Sequence, residues 1–421
     1  MYHTISKELL NFLDASPTRF HAVKNIADQL TENGFTFLNE KDSWELKPGG
    51  NYFTCRNGSS LIAFTIPEGQ IKSWRISASH SDSPCLKIKE NPELPAENHY
   101  VRLNAEGYGG MIVSSWFDRP LSFAGRVIIS DEGLIESRLI NFERDMLLIP
   151  SVAPHFKRSG EKEDMNIQID FLPVYGDDTS RGTFLKLIAE AADTSEENIL
   201  GHDLFIYPRQ KGSILGVSGE FIASPRLDDL QCAFSCLKGF LAGKKTAHSA
   251  VYCVFDNEEV GSLTRQGAAS TFLKDTLERI CECLSMSRQD YLMAIAGSLM
   301  VSADNAHAAH PAHPEKSDPV NRPYMNEGIV IKYNAAQNYC TDGFSGAVFK
   351  DICRRADVPY QIFSNRSDRK GGSTLGNLSS AQVPVSTVDL GLPQLAMHAP
   401  YEMAGSKDTL YLVRAMETFY E

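Results

Sequence analysis

Ala250-Val-Tyr-Cys-Val-Phe-Asp-Asn-Glu-Glu-Val-Gly261 carries the clearest sign of how this chain folds and where its functional site lies. The run from Ala250 to Phe255 is short, apolar and rich in β-branched and aromatic residues, which predicts a buried strand. Glu258 and Glu259 follow this strand almost directly. Adjacent side chains on extended backbone point in opposite directions, so one carboxylate can bind a metal ion while the other faces a reaction centre. The alternative interpretation is a solvated acidic loop.

The same arrangement, an apolar segment that ends in acids or histidines, occurs four more times along the chain. These residues are His80 and Asp82 in Ser79-His-Ser-Asp-Ser-Pro84, Asp228 in Pro225-Arg-Leu-Asp228, Asp304 in Ser302-Ala-Asp-Asn-Ala-His307, and His398 in Met397-His-Ala-Pro400. Each has an ordinary alternative: a turn, a helix cap, a histidine-rich loop or a structural histidine. In α/β folds, however, sites gather at strand ends.

Carboxylate oxygens and imidazole nitrogens are together the ligands of zinc and similar divalent ions. Without a cation, two carboxylates about 4 Å apart repel each other by roughly 4 kcal/mol at an effective dielectric constant near 20. A pair of bound divalent ions would remove this cost. His80 can bind through one ring nitrogen while Asp82 accepts a hydrogen bond from the other and fixes the tautomer.

Periodicity along the rest of the chain predicts an α/β fold with an inserted β-rich segment. The spacing of Leu230, Phe234 and Leu237 predicts a helix, and so does the pattern of residues 272–283. Residues 123–129 and 134–140 are instead two short strands joined by a turn, which favours antiparallel sheet. We therefore predict a catalytic domain formed by residues 1–89 and 219–421, interrupted by an insertion at 90–218.

Length and charge restrict the class of protein. With 421 residues the chain exceeds a typical single hydrophobic core, and a net charge of −12 argues against nucleic acid and anionic membranes as partners. The N-terminal residues do not form a signal or transit peptide, and the longest mostly apolar stretch, 291–303, is too short to span a bilayer. Nine cysteines, without zinc-ribbon spacing, are expected to be reduced thiols in the cytoplasm.

Seven short sequence motifs occur in the order found in the aspartyl aminopeptidase family, and the chain resembles that family over nearly its whole length. The motifs are residues 16–23, 79–84, 224–228, 255–268, 302–311, 372–376 and 393–403. The resemblance implies a cytoplasmic, dodecameric zinc aminopeptidase, a hydrolase that acts on peptides with a free N-terminus. It also implies a mixed-sheet α/β/α catalytic domain of the two-metal aminopeptidase type with an inserted β-rich dimerisation domain.

The resemblance implies two divalent metal ions per subunit, zinc by family and cobalt or manganese as alternatives. His80 and Asp304 would hold one ion, Glu259 and His398 the other, and Asp228 would bridge them. Glu258 would be the general base that activates a water molecule, with Asp82 as a further catalytic residue.

Three further residues are expected to contact the substrate. The segment around His155 is similar to a family segment that reaches into a neighbouring subunit's active site, so His155 would act in trans. Lys332 is a candidate cation for an acidic N-terminal side chain, with a surface lysine as the alternative. His310 is expected to be at most a substrate contact or a neighbour of the metal ligands. An acidic preference would follow from the family, but the loop of residues 366–371 differs from that of the acidic-substrate members.

Two other functions fit the same residues. One is another two-metal amidase, a carboxypeptidase or an N-deacylase, and the other is a non-catalytic assembly protein that keeps the metal ligands. The presence of Glu258 beside all five candidate ligands favours an active enzyme.

Overall fold

The computed structural model describes residues 2–156, 165–243, 248–369 and 371–421. The chain divides into two compact units. The first consists of Met1–Asp82, Gly212–Met397 and Glu402–Glu421, and the second consists of Ser83–Lys211 and His398–Tyr401. The prediction placed the boundaries of the insertion at residues 90 and 218; the second unit comprises Ser83–Lys211 and also includes His398–Tyr401.

The helices and strands are numbered here in chain order. The helices are α1 (Tyr2–Asp14), α2 (Arg19–Glu32), α3 (Ile167–Asp170), α4 (Phe184–Ala191), α5 (Leu227–Ala242), α6 (Phe272–Cys283), α7 (Arg288–Ala296), α8 (Gly343–Arg355), α9 (Leu375–Gln382) and α10 (Asp408–Phe419). Strands β1 to β10 are Thr36–Phe37, Asn51–Arg56, Ser60–Thr65, Trp74–His80, Cys85–Ala96, Tyr100–Tyr108, Leu121–Asp131, Leu134–Asn141, Val174–Asp177 and Ile199–Pro208. Strands β11 to β20 are Ser213–Leu215, Phe221–Ser224, Ser249–Phe255, Leu299–Ala303, Ala306–His307, Ile329–Tyr333, Tyr360–Ser364, Ser386–Gly391, Pro393–Leu395 and Glu402–Gly405.

A nine-stranded mixed sheet organises the first unit, in the order β1-β2-β3-β13-β4-β14-β18-β16-β17. Strands β13, β4, β14 and β18 run parallel to one another in its middle. Phe255 at the end of β13 lies opposite His80 at the end of β4. The carboxyl ends of these strands therefore meet at one edge of the sheet, where ligands bind in open α/β folds.

Helices cover both faces of this sheet. Along β13, Ala250, Tyr252 and Val254 pack into one apolar cluster, which includes residues of α1, α2, α5, α8 and α10. The alternate residues Val251, Cys253 and Phe255 pack into a second cluster with residues of α6 and α7. A strand buried on both faces reads as a continuous apolar run, which is the pattern that predicted it. The α/β/α prediction is confirmed.

Local sequence signals also match the structure. Asn57 and Gly58 have φ angles of 60° and 66°, the conformation of a tight hairpin turn between β2 and β3. The apolar stretch 291–303 divides into the end of α7 and strand β14. None of the helices in the described ranges combines the length and the apolar character needed to cross a bilayer.

The second unit is built on a six-stranded sheet in the order β8-β7-β10-β5-β6-β9. All of its strand pairs are antiparallel, as the sequence predicted for 123–129 and 134–140. The edge strand β8 begins with Leu134 and Ile135, whose exposed fractions are 66% and 73%. An exposed apolar edge strand is a surface on which another chain can pack.

Candidate active site

The turn after β13 carries the acidic pair. Asn257 adopts a left-handed conformation with a φ of 65°, and Glu258–Val260 form one turn of 3-10 helix. The prediction that Glu258 and Glu259 stand on extended backbone is therefore wrong. The strand ends at Phe255 as predicted, but an asparagine adopts left-handed backbone more readily than most residues, and here it turns the chain two residues after the strand. Both glutamates are half-buried.

Asp82 ties this turn to the end of β4. One of its carboxylate oxygens accepts the backbone N–H of Glu258 at 3.1 Å, and the other accepts that of Glu259 at 3.2 Å. Its main-chain carbonyl oxygen lies 3.0 Å from Nδ1 of His80, closer than its carboxylate at 3.4 Å. The group that fixes the tautomer of His80 is thus the carbonyl rather than the predicted carboxylate. Nε2 of His80 is left directed toward Asp228, at 3.4 Å.

Asp229 makes an equivalent connection between β4 and β14. One carboxylate oxygen accepts the backbone N–H of His80 and the other that of Asn305, each at 3.2 Å. Asp229 is fully buried, and its peptide bond to Asp228 is cis. Because both oxygens are used by the backbone, we assign Asp229 to positioning the ends of two strands.

Asn305, the residue after Asp304, joins four parts of the first unit. Its amide nitrogen donates to the carbonyl of Leu227 and to the side-chain oxygens of Gln231 and Gln394, at 3.1, 3.1 and 2.7 Å. Its main-chain carbonyl oxygen accepts a hydrogen bond from Nζ of Lys332 at 2.9 Å. These bonds hold the backbone of Asp304 at the sheet edge. Sequence reasoning assigned no role to Asn305 or Asp229.

The structure brings four acids and one histidine of the first unit together. Four buried residues each offer one ligand atom, and these atoms lie within 4.8 Å of one another; the residues are His80, Asp228, Asp229 and Asp304. Oxygens of Asp228 and Glu259 also lie within 4.8 Å of each other. Asp228 is therefore common to two groups of donors, the arrangement expected of a bridging ligand.

The electrostatics of this cluster call for a cation. The pKa of Glu258 is raised to about 8, mainly by burial and also by the charges of Asp304 and Asp82, against the opposing effect of His80. Burial and Asp228 also raise the pKa of Glu259. Burial lowers the pKa of His80, but Asp228 and Asp82 raise it well above its usual value. The raised pKa values mean that these carboxylates and the imidazole bind protons more tightly than usual in the absence of another cation. Divalent metal ions bind to the same oxygen and nitrogen atoms and would replace the protons.

Lys332 is not a surface residue. Only 3% of it is exposed, and its ammonium lies 3.9 Å from Asp304 as well as donating to the Asn305 carbonyl. The surface-lysine alternative is therefore wrong. A buried cation at this position stabilises the ionised form of Asp304. Direct contact of Lys332 with a substrate stays a prediction.

The remaining predicted site residues are His310, His398 and His155. His310 lies in the loop after β15, where its Nδ1 accepts the backbone N–H of Ala312 at 3.2 Å. His398 is grouped with the second unit, and its carbonyl accepts the N–H of Ile112 at 3.1 Å. His155 is exposed in the second unit, immediately before the segment 157–164, which lies outside the described residues.

Arg19 supports the active-site turn from α2. Its Nη1 donates to the carboxylate of Asp256 at 2.9 Å, and both side chains are buried. Asp256 also accepts the backbone N–H of Asn257 at 2.7 Å. A buried charge pair of this kind is not visible in the sequence, because the two residues are 237 positions apart.

We expect Asp229→Asn to weaken both the fold and the binding of metal ions. An amide nitrogen would face one of the two backbone N–H donors, and an unpaired buried donor costs about 1–3 kcal/mol. Asp408→Asn is a matched control, since this buried carboxylate also accepts two backbone N–H groups, at 2.6 and 3.1 Å, but its donors Asn326 and Gly328 are not neighbours in sequence of any proposed ligand. Urea unfolding and zinc competition measure the two effects. A similar loss of metal affinity in both variants would contradict the positioning role.

Known proteins resemble the chain over its whole length. The profile of the family described as Aminopeptidase I zinc metalloprotease (M18) matches residues 12–420. A Clostridium acetobutylicum protein named Probable M18 family aminopeptidase 2 is 45% identical over 426 residues, 99% of this chain and 98% of the relative.

Solved structures agree with this comparison. A structure described as the cryo-EM structure of the Ape4 and Nbr1 complex has a TM-score of 0.96 and 34% identity, and the match covers 100% of this chain and 86% of that chain. The S. cerevesiae mApe1 dodecamer has a TM-score of 0.87 and 27% identity, with coverage of 100% and 97%. The chain belongs to the M18 family of zinc aminopeptidases.

Proposed function

We propose that the chain removes the N-terminal residue of peptides with two divalent metal ions, one held by His80, Asp228 and Asp304 and the other by Asp228, Glu259 and His398. The observation that carries this proposal is the position of Asp228 between two groups of donors. Zinc is the expected ion from the family. Cobalt and manganese suit the same oxygen-rich donors.

Bound divalent ions supply Lewis acidity, which polarises a carbonyl oxygen and makes water a usable nucleophile near neutral pH. Glu258 takes a proton from the attacking water and gives it to the leaving amine. Asp82 fixes the backbone of Glu258 and Glu259, so the base and the ligand keep a constant separation. Carboxylates that are not fully neutralised attract the free α-ammonium group of the substrate.

A substrate panel tests this function. We expect 4-nitroanilides of Leu, Lys, Asp and Glu to be cleaved at different rates, and their N-acetylated forms to be resistant, since acetylation removes the charge that the site attracts. The panel also gives the preferred N-terminal residue, for which an acidic preference remains a proposal. Release of acetate from the acetylated forms, which leaves the aminoacyl anilide intact, would favour the N-deacylase alternative. Release of C-terminal residues would favour a carboxypeptidase.

We also propose that the chain assembles into a homo-oligomer through its second unit and acts in the cytoplasm. Leu134 and Ile135 on the edge strand and Phe156, which is 82% exposed, offer apolar contact area. The S. cerevesiae relative is described as a dodecamer, so a dodecamer is the state to test by light scattering. The nine cysteines are free thiols, which suits a reducing compartment.

His155 is expected to act on the active site of a neighbouring subunit. An imidazole N–H that stabilises the oxyanion is worth roughly 3 to 4 kcal/mol, so His155→Ala should be nearly inactive. Co-expression of His155→Ala with Glu258→Gln should restore part of the activity, because some interfaces then pair an intact Glu258 with an intact His155. Mixed oligomers, verified by mass spectrometry, that stay as inactive as both parents would refute action in trans.

A further inference from the structure

A cavity of about 280 Å³ in the first unit lies close to the candidate metal centre. Gln394 and His307 are among its lining residues. Gln394 accepts a hydrogen bond from the Asn305 side chain at 2.7 Å. His307 follows Asp304 by three residues, which span at most about 11 Å of extended chain. The cavity is thus within the length of a short peptide from the metal ligands.

The lining of this cavity is cationic, although the chain as a whole is strongly acidic. Lys316, Arg366 and Arg369 contribute positive charge, and Arg366 and Arg369 also line an adjoining cavity of about 610 Å³. Asp368 neutralises Arg366 through two hydrogen bonds of 2.9 Å. Within the described ranges, the structure shows no ion pair for Lys316 or Arg369.

The acid in this lining is already occupied by backbone donors. Oδ1 of Asp318 accepts the N–H groups of Val320 and Asn321 at 3.0 and 2.7 Å. No ion pair joins it to Lys316 or Arg369 in the part of the chain that the structure describes. Lys316 and Arg369 remain available for an anionic ligand that enters from the active site.

We propose that this cavity binds a carboxylate on the part of the peptide that leaves after cleavage. This inference rests on the proposed function. The α-ammonium group is drawn to the carboxylates of the metal centre and is repelled by Lys316 and Arg369. An extended peptide with a negative charge beyond the scissile bond would therefore place this charge in the cavity.

Two sources could supply the carboxylate. One is the free C-terminus of a di- or tripeptide, and the other is an aspartate side chain at the second or third position. Each added residue lengthens an extended peptide by about 3.3–3.6 Å. A carboxylate two or three residues beyond the N-terminus is therefore carried over a length similar to the three residues that separate Asp304 from His307. The experiment below separates them.

The test compares peptides that share the N-terminal residue cleaved fastest. One arm pairs tripeptides with their C-terminal amides. The other arms pair Asp with Asn at the second or the third position of tripeptide amides. We expect the charged member of at least one pair to have a kcat/KM about five- to tenfold higher, the effect of one or two partly exposed charge pairs. The preference should decrease as salt is added.

Variants then assign this preference to the cavity. The double variant Lys316→Met with Arg369→Met should lose the preference and keep the rate on neutral peptides, which also shows that it folds. Arg369→Lys should retain most of the preference for the charged peptide. Lys24→Met is the control, since Lys24 lies on α2 in an exposed pair with Asp28.

The outcomes separate this inference from the proposed function. No charge preference in the unmodified enzyme, or one that the double variant retains, would overturn the subsite while cleavage of neutral peptides still supported the aminopeptidase. Absence of cleavage of every peptide with a free N-terminus would overturn both.

Discussion

Glu258→Gln is expected to lower kcat by about 10²- to 10⁴-fold while both metal ions stay bound, because the amide cannot accept the proton of the attacking water. The backbone N–H of residue 258 would still donate to Asp82, so the turn should keep its conformation. Metal content and turnover should be measured on the same sample.

The adjacent residue provides the matched control. Glu259→Gln makes the same chemical change one position along the same turn, but it removes a proposed ligand. It should lower the metal content as well as the activity, and excess zinc should restore part of both. Near-normal turnover of Glu258→Gln at full metal occupancy would contradict its role as the base.

Removal of the metal ions is expected to abolish activity completely and reversibly. Without them the carbonyl is not polarised and the water is not acidified, so the protein residues alone supply too little catalysis. Zinc, cobalt or manganese should each restore turnover, since oxygen-rich sites bind several divalent ions. Chelator-treated protein should be assayed before and after each ion is added back.

Two checks make the chelation result decisive. Elemental analysis should show that the treated protein is free of metal, and circular dichroism should show that it remains folded. The affinity of the treated protein for the added metal ions should decrease as the pH falls, because protons compete with the ions for His80 and the carboxylates. Full activity of folded, demonstrably metal-free protein would contradict the mechanism.

The candidate ligands His80 and Asp304 could be proposed from the sequence because each lies at the end of a strand whose apolar pattern is local in sequence. The run before Glu258 predicts a buried strand, and parallel strands place their carboxyl ends at one edge of a sheet. The alternation of helices and strands followed from the same patterns, and the α/β/α layering followed from the family resemblance. The left-handed Asn257 could have been inferred from its place between strand and acidic pair, but the prediction assumed extended backbone.

The supporting contacts were not predictable because they join distant parts of the chain. Asp229 reaches His80 across 149 positions and Asn305 across 76. Lys332 was a candidate substrate cation, but the sequence did not show that its ammonium is buried against the main-chain carbonyl of Asn305. The role of a carboxylate such as Asp229, whose two backbone donors come from distant parts of the chain, can be assigned only from the tertiary structure.

Anomalous diffraction at the zinc absorption edge, from crystals of the zinc-loaded enzyme, tests the two-metal proposal most directly. We predict two peaks per subunit, one in contact with His80, Asp228 and Asp304, and a second in contact with Asp228, Glu259 and His398. A single peak, or a second peak that does not touch Asp228, would contradict the proposed arrangement of the two ions.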